Sequence, residues 1–330
     1  MAVDLTKYVQ ELEDVVCSAC GSGDYEVLSN KERYNLPLRA VMCRTCSLIF
    51  INPRPVKRVY EKLNMADYRL AAVGHDGPDD RMFKRQREHM MKVTLPFIQK
   101  YADAHEIQSV LDVGCLYGGT MAGWLDFNSQ AAVEGIEPVI KVAAYARNRL
   151  GAKVTTGIIE NFQSEKKFGL VIFAQALNHT LDPKANLEKI RTLLDNDGYL
   201  FISLYDAVSA LLNRPIDKMV EITHPYMFSR ESIQYILLRA GFRIVGYEDK
   251  LLDAKYLDKK DVTGLSFPRI RVLAQRAETV DSKVNEPDYK MVLGRVNRNM
   301  EFYMRWADEI QKWYKPNIWR RIVKAVKNGI

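Results

Sequence analysis

The chain has 330 residues, 47% of them hydrophobic and 27% charged. This is the make-up of an ordinary globular protein, with room for one α/β domain and smaller additions. No run approaches the ~20 consecutive apolar residues that span a bilayer. The opening MAVDLTKYVQELED is acidic and lacks an apolar signal core, so a cytoplasmic location is expected. The net charge of +7 is uneven, because residues 291–330 hold nine Lys and Arg against three Asp and Glu. A nucleic-acid role inferred from basicity would rest on that tail alone.

Four of the five cysteines fall in the first 46 residues, as CSAC (Cys17, Cys20) and CRTC (Cys43, Cys46) separated by 22 residues. Each C-x-x-C turns tightly enough to present two thiolates to one ion, and two such knuckles complete a tetrahedral sulfur site that suits structural Zn²⁺. In an intracellular chain this pattern points to metal rather than disulfides, and a redox C-x-x-C would stand once within a βαβ unit. The intervening residues contain short strand-like pieces, as a zinc ribbon needs. Residues 1–66 are therefore expected to form that unit, with too small a core to stand without its metal.

SLIFINPRP then reads as a strand ending in prolines. VKRVYEKLNMADYR and the amphipathic stretch at 80–103 make a helical connector and lid over 67–107, with Pro96 expected to bend or end a helix. From residue 108 strand and helix patterns alternate. QSVLDVG, AAVEGIEP, KVTTG, FGLVIFA, GYLFISL, FRIVGYE and RIRVLAQ read as strands. TMAGWLDF, VIKVAAYARNRLG, DPKANLEKIRTLLDNDG and SRESIQYILLRAG read as helices, the last capped by Ser229. The alternation predicts a mostly parallel sheet covered on both faces over 108–276, with ligand beyond the carboxyl ends of the strands.

Residues 277–330 read as a linker and a basic helical tail. Val296, Met300, Tyr303, Ala307, Ile310 and Tyr314 recur at helical spacing. NIWRRIVKAVKNG sets Ile318, Trp319, Ile322, Val323 and Val326 opposite Arg320, Lys324 and Lys327. This composition, over 317–328, fits peripheral contact with the inner face of a membrane, and equally a helical cap on the core or on another subunit.

The motif VLDVGCLYGG decides the cofactor. A dinucleotide loop G-x-G-x-x-G would need glycine at 116, where Leu116 stands. Asp112 lies within the strand, where a carboxylate suits the ammonium of an amino-acid-bearing cofactor. Glu137 ends the next strand, placed for ribose hydroxyls. The residues favour S-adenosylmethionine over NAD. SVLDVGCLYGG, GIEP, FGLVIFAQALNHTLDP and LLDNDGYLFISL, in this order, resemble the motifs of class I S-adenosylmethionine-dependent methyltransferases. Behind a cysteine ribbon they are further similar to the zinc-binding C-methyltransferases of nucleotide-linked deoxysugars and to enzymes of surface-polysaccharide synthesis.

The resemblance implies a Rossmann-like α/β fold, with a seven-stranded sheet whose last strand pair is reversed. It further implies cofactor contacts by Asp112, Gly114, Tyr117, Gly118, Glu137, Pro138, Ile158 and Gln175. Cys115 belongs to the same loop and is expected to pack as a small buried residue; Glu160 or Asn161 would assist at the adenine. It implies methyl transfer to a carbohydrate, a nucleotide sugar or a glycan unit. The departures are Leu116 and a basic helical tail in place of the relatives' large C-terminal domain. Methylation of an aromatic or polyketide hydroxyl, or a ribbon that binds RNA, remain alternatives. Transfer to a hydroxyl or an acidic carbon needs a base, and histidine is the natural one near neutral pH. His179 is the leading candidate and His224 the second. Tyr68, Asn178 and Tyr226 would touch substrate, while His75, His89 and His105 are expected at the surface.

Overall fold

The computed structural model describes residues 3–74, 77–249, 269–278 and 284–307. The N-terminal part forms strands β1 (Leu12–Glu13), β2 (Tyr25–Ser29), β3 (Ala40–Cys43), β4 (Ile49–Ile51) and β5 (Arg54–Pro55). Helices α1 (Lys57–Lys62) and α2 (Tyr68–Val73) flank a π-turn at Leu63–Asp67, and α3 (Asp80–His89) and α4 (Leu95–Gln99) flank another at Met90–Thr94. Pro96 sits in the first turn of α4. It cannot donate to the carbonyl one turn back, and the wider π-turn takes up that gap without breaking the run.

The alternating half comprises β6 (Ser109–Val113), α5 (Gly119–Phe127), β7 (Ala132–Glu137), α6 (Ile140–Leu150), β8 (Lys153–Thr156), β9 (Phe168–Ala174), α7 (Pro183–Leu193) and β10 (Leu194–Tyr205). Short helices α8 (Ala207–Ala210) and α9 (Ile216–Met219) follow, then β11 (Tyr226–Met227), α10 (Arg230–Arg239), β12 (Phe242–Glu248) and β13 (Arg269–Arg276). A last helix, α11, runs over 289–307. The expected caps are present. Ser229 accepts from the Ser232 amide in a capping box, and Gly151 closes α6 in the left-handed region.

The large sheet has seven strands in the order β12-β13-β10-β9-β6-β7-β8. β6, β7, β8, β9 and β10 pair in parallel, whereas β13 runs antiparallel to both β10 and β12. The last pair is thus reversed in order, and β13 alone is reversed in direction. The central strands are apolar on both faces, as period two requires. Leu111, Val113, Val171 and Phe173 join one core with α7 and α10, while Val110, Leu170 and Ile172 join another with α4, α5 and α6. Helix α3 crosses α5 at two glycines. A Cβ on Gly119 would lie 2.2 Å from the Phe83 carbonyl oxygen, and one on Gly123 would lie 2.8 Å from Met90 Cβ.

The N-terminal unit is joined to this domain through its own sheet, β11-β4-β3-β2, whose edge strand β11 comes from the loop before α10. Its alternation fills two cores. Val41, Cys43 and Phe50 meet the α7 and α10 side, and Ala40, Met42, Ile49 and Ile51 meet α1, α8 and α11. Helix α11 is anchored by Val292 and Val296, by the bidentate Arg295–Glu231 pair at 2.9–3.0 Å, and by Asn299 Nδ2 donating to Val208 O at 2.8 Å. The described part of the tail is therefore a cap on the core. His75 and the 317–328 segment lie outside the described residues.

Candidate active site

Two cavities meet at the carboxyl ends of β6, β9 and β10. The first, of about 440 Å³, is lined by Gly114, Glu137, Pro138, Ile158 and Glu160. The second, of about 570 Å³, is lined by Asp112, Asn178, Ser203, Glu221, His224 and Tyr226. Tyr68, Gly114, Leu116, Gln175 and His179 line both and form the boundary between them.

The loop after β6 is shaped by three left-handed residues, Gly114, Leu116 and Gly118. Gly114 has φ +73, and a Cβ there would lie 3.0 Å from that of Ala176. Leu116 has φ +50, so the non-glycine that broke the dinucleotide pattern occupies a glycine-like conformation. Its amide donates to Glu137 Oε2 at 3.0 Å, and the Val139 amide donates to Oε1 at 2.9 Å. Burial pushes the Glu137 carboxyl up to about 7 against these bonds. Asp112 is likewise pushed up to about 7, by burial first and then by the Glu137 charge, and its Oδ2 has no partner in the protein. Cys115, Tyr117 and Gly118 line neither cavity, and Cys115 packs as the small buried residue expected of it. Cys115 and Tyr117 are fully buried, with the Tyr117 hydroxyl held by Gly77 O and Arg69, and Gly118 abuts Leu150.

The second cavity gathers the histidines. His179 lies on a short 3₁₀ turn after β9. Its Nδ1 is 2.7 Å from Thr223 O, so that nitrogen carries the proton and donates, leaving Nε2 as acceptor 3.5 Å from the Tyr68 hydroxyl. Burial, then the neighbouring His224, hold His179 well below its ordinary value, and it stays neutral. The His224 ring stands 4.0 Å from that of His179, centroid to centroid. Its Nδ1 bonds Glu221 Oε1, which also accepts from the Thr223 hydroxyl at 2.7 Å. Glu221 Oε2 accepts from Arg33 at 2.5 Å. Burial alone would raise the Glu221 carboxyl, but these bonds hold it well below the usual carboxylate range.

Asn178 lines the second cavity with its Oδ1 unpartnered. Tyr226 is buried, with its hydroxyl donating to Leu181 O and accepting from Arg54. The surface expectation for His89 is corrected. It is half-buried on the wall of the second cavity, and burial, then Arg269, Arg271 and Arg85, push it down to about 4. His105 is exposed. Sequence reasoning missed Glu221 and Arg33. The spacing E-x-x-H was a usable signal for the first, because a turn closed by His224 N–H on Glu221 O at 2.8 Å brings the two side chains together. Nothing near Arg33 in sequence announces a partner 188 residues away.

The cysteines form one cluster, in which the Sγ atoms of Cys17, Cys20, Cys43 and Cys46 lie within 4.8 Å of one another. The pairs Cys17–Cys46 and Cys20–Cys43 are 3.4 Å apart. Sulfurs bound tetrahedrally to zinc at ~2.3 Å stand about 3.8 Å apart, so the set fits such an ion. Each knuckle is closed by a backbone bond, Gly21 N–H to Cys17 O at 2.7 Å and Ser47 N–H to Cys43 O at 2.9 Å, with Gly21 and Ser47 left-handed.

The family model described as a methyltransferase domain matches residues 80–247, just over half of the chain. The chain belongs to this methyltransferase family. It is an S-adenosylmethionine-dependent enzyme of class I, with the sheet order described above. No curated protein matches it. Among solved structures, magnesium protoporphyrin IX methyltransferase from Synechocystis is similar at 16% identity and TM-score 0.46, over 67% of this chain and 99% of the other. A methyltransferase from Mesorhizobium loti aligns at 18% identity and TM-score 0.44, over 55% and 96%. One from Clostridium acetobutylicum aligns at 12% and 0.43, over 58% and 92%.

The unpartnered Asp112 oxygen and the backbone cradle at Gly114 fit a cationic amino-acid group, and Glu137 faces the first cavity in the methyltransferase as a ribose acceptor would. Bound S-adenosylmethionine supplies an electrophilic methyl on a sulfonium centre. Tyr68, Gln175 and His179 line both cavities, so they stand where a methyl donor in the first would face an acceptor in the second.

Proposed function

We propose that the enzyme methylates a carbohydrate, either a nucleotide-linked sugar or a sugar of a surface glycan, with His224 as general base. The zinc-holding ribbon would wall the acceptor site, as the likeness to sugar C-methyltransferases implies. The observation that carries the reading is a set of four side-chain atoms around the second cavity. Asp112 Oδ2 is taken by the cofactor's cationic group, and the other three, Gln86 Oε1, Asn178 Oδ1 and Ser203 Oγ, are buried, without a protein partner and left for the acceptor. Unmade bonds of this kind cost ~1–3 kcal/mol each, so a ligand rich in O–H and N–H donors is favoured over a flat apolar one. Arg33, Arg85, Arg214 and Arg269 also line the cavity, which suits an acceptor bearing phosphate.

His224 is preferred to His179 as base because a carboxylate stands behind its Nδ1, orienting Nε2 and stabilising the imidazolium formed when it takes a proton. The test is donor consumption over a panel of nucleotide sugars, aromatic hydroxyls and polyketides. Turnover with a sugar supports the reading. Turnover confined to aromatic or polyketide acceptors overturns it.

A further inference from the structure

We propose that Arg33, carried by the N-terminal cysteine-held unit, is a positioning residue for the acceptor site, holding Glu221 so that His224 presents Nε2 to the second cavity. Arg33 is built for this task on both its backbone and its side chain. Its amide donates to Val220 O at 2.9 Å, tying it to the loop that carries Glu221 and His224. Its guanidinium reaches Glu221 Oε2 at 2.5 Å, on the opposite side of the carboxylate from His224. The preceding Glu32 is buried and accepts from the Tyr34 and Leu36 amides at 2.6 and 2.9 Å, which folds the hairpin loop so that Arg33 projects toward the cavity. The same carboxylate thus serves two cations when His224 is protonated, and one when it is not.

The inference rests on reading His224 as the base. The groups against that ring are Glu221 and Thr223 from its own turn and His179 after β9, with Arg33 from the ribbon behind Glu221 and Tyr68 from α2 behind His179. Arg85, His89, Arg214, Tyr226 and Arg269 stand on the cavity wall. Arg33 is bonded to the carboxylate that holds the ring. Because its charge competes with the imidazolium for Glu221, its removal leaves the protonated ring better stabilised. The acid limb of the pH–rate profile then moves to higher pH, and the less firmly held ring transfers protons more slowly.

The experiment uses the full chain with Arg33→Gln and Arg33→Lys, measuring pH–rate profiles, cofactor affinity and the His224 ring titration by NMR, its signal assigned through loss in His224→Gln. Arg33→Gln should lower kcat roughly tenfold, leave cofactor affinity within twofold, and raise both the acid limb and the ring titration by about half to one pH unit. Arg33→Lys, which keeps the cation, should recover most of both. Should Arg33→Gln fail to fold, the ring titration of Arg33→Lys decides, since an ammonium fits the carboxylate less well and shifts it in the same direction by less. A ring titration identical to the parent's overturns the proposal. If His224→Gln keeps full turnover, the base reading fails instead, and the NMR titration separates that failure from this one.

Discussion

The His179 and His224 rings lie 4.0 Å apart between centroids with their planes tilted at 43°, yet their Nδ1 atoms face different acceptors, the Thr223 carbonyl and the Glu221 carboxylate. A carbonyl fixes a tautomer. A carboxylate fixes it and also favours the charged ring. His224→Ala should therefore lower kcat 10²- to 10⁴-fold with little change in cofactor affinity, the range that a positioned base supplies. His179→Ala should cost less in kcat but weaken both ligands, since it lines both cavities. Single-turnover rates and calorimetry on the two variants check this, and a reversed order would return the role of base to His179.

Asp112 and Glu137 give the fold a pH dependence that the cofactor should cancel. Both are carboxyls pushed up to about 7 by burial, with the Glu137 charge adding to the shift at Asp112. A folded-state value above the unfolded one means that the folded chain holds protons the unfolded chain has released. The stabilisation is complete below pH ~4 and is lost as pH climbs through about 7. The melting temperature of the ligand-free enzyme should fall between about pH 5 and 8, and stabilisation by S-adenosylmethionine should be larger at pH 8 than at pH 6. Asp112→Asn should flatten the ligand-free slope and weaken the cofactor at least tenfold, the loss expected for a hydrogen bond to a charged group. Scanning fluorimetry with and without cofactor reads both effects; parallel slopes in parent and variant would refute the assignment.

The strand–helix alternation was readable because most strands are short apolar runs closed by turn signals and because Ser229 and Gly151 cap helices as their chemistry dictates, although LDNDG, read as the end of a helix, begins the twelve-residue β10. The cysteine cluster was readable because its ligands come as two local pairs. What escaped was long-range. Glu221 meets Arg33 across 188 residues, and β11 adds to a sheet begun by β2, pairings set by how the two units dock. Leu116 pointed away from a dinucleotide cofactor, as the methyltransferase family bears out, but its backbone could not be read from its identity. The hydrogen bond from its amide to the buried Glu137 carboxylate accompanies a left-handed conformation that a leucine rarely adopts. Such a conformation costs roughly 1–2 kcal/mol without glycine, which one charge-assisted hydrogen bond offsets.

The metal reading makes a structural prediction of its own. The purified chain should carry about one zinc ion, bound by Cys17, Cys20, Cys43 and Cys46. Because β4 pairs with β11, loosening the knuckles should reach the turn holding Glu221 and His224. Cys43→Ser or a strong chelator should lower the melting temperature and depress acceptor turnover more than cofactor binding. Elemental analysis together with equilibrium binding checks this. A metal-free chain with parent stability would exclude a structural ion.

The contact of α3 with α5 offers the sharpest packing test. At Gly119 an added Cβ would meet the Phe83 carbonyl oxygen at 2.2 Å, Gln86 Cβ at 2.6 Å and the Arg87 amide nitrogen at 3.0 Å. Two of these are backbone atoms of a helix, which cannot swing aside as a side-chain tip would. Gly119→Ala must therefore push α3 away from α5, and overpacking of this kind costs ~1–3 kcal/mol or more. The same helix carries Met82, Arg85, Gln86 and His89 onto the wall of the second cavity, and Gln86 Nε2 donates to Cys115 O at 3.2 Å in the cofactor loop. The substitution should thus lower stability and weaken acceptor and cofactor together, although Gly119 lines neither cavity. Chemical denaturation and calorimetry on Gly119→Ala, beside Gly77→Ala where an added Cβ meets nothing within 4 Å, separate this packing effect from a general intolerance of alanine.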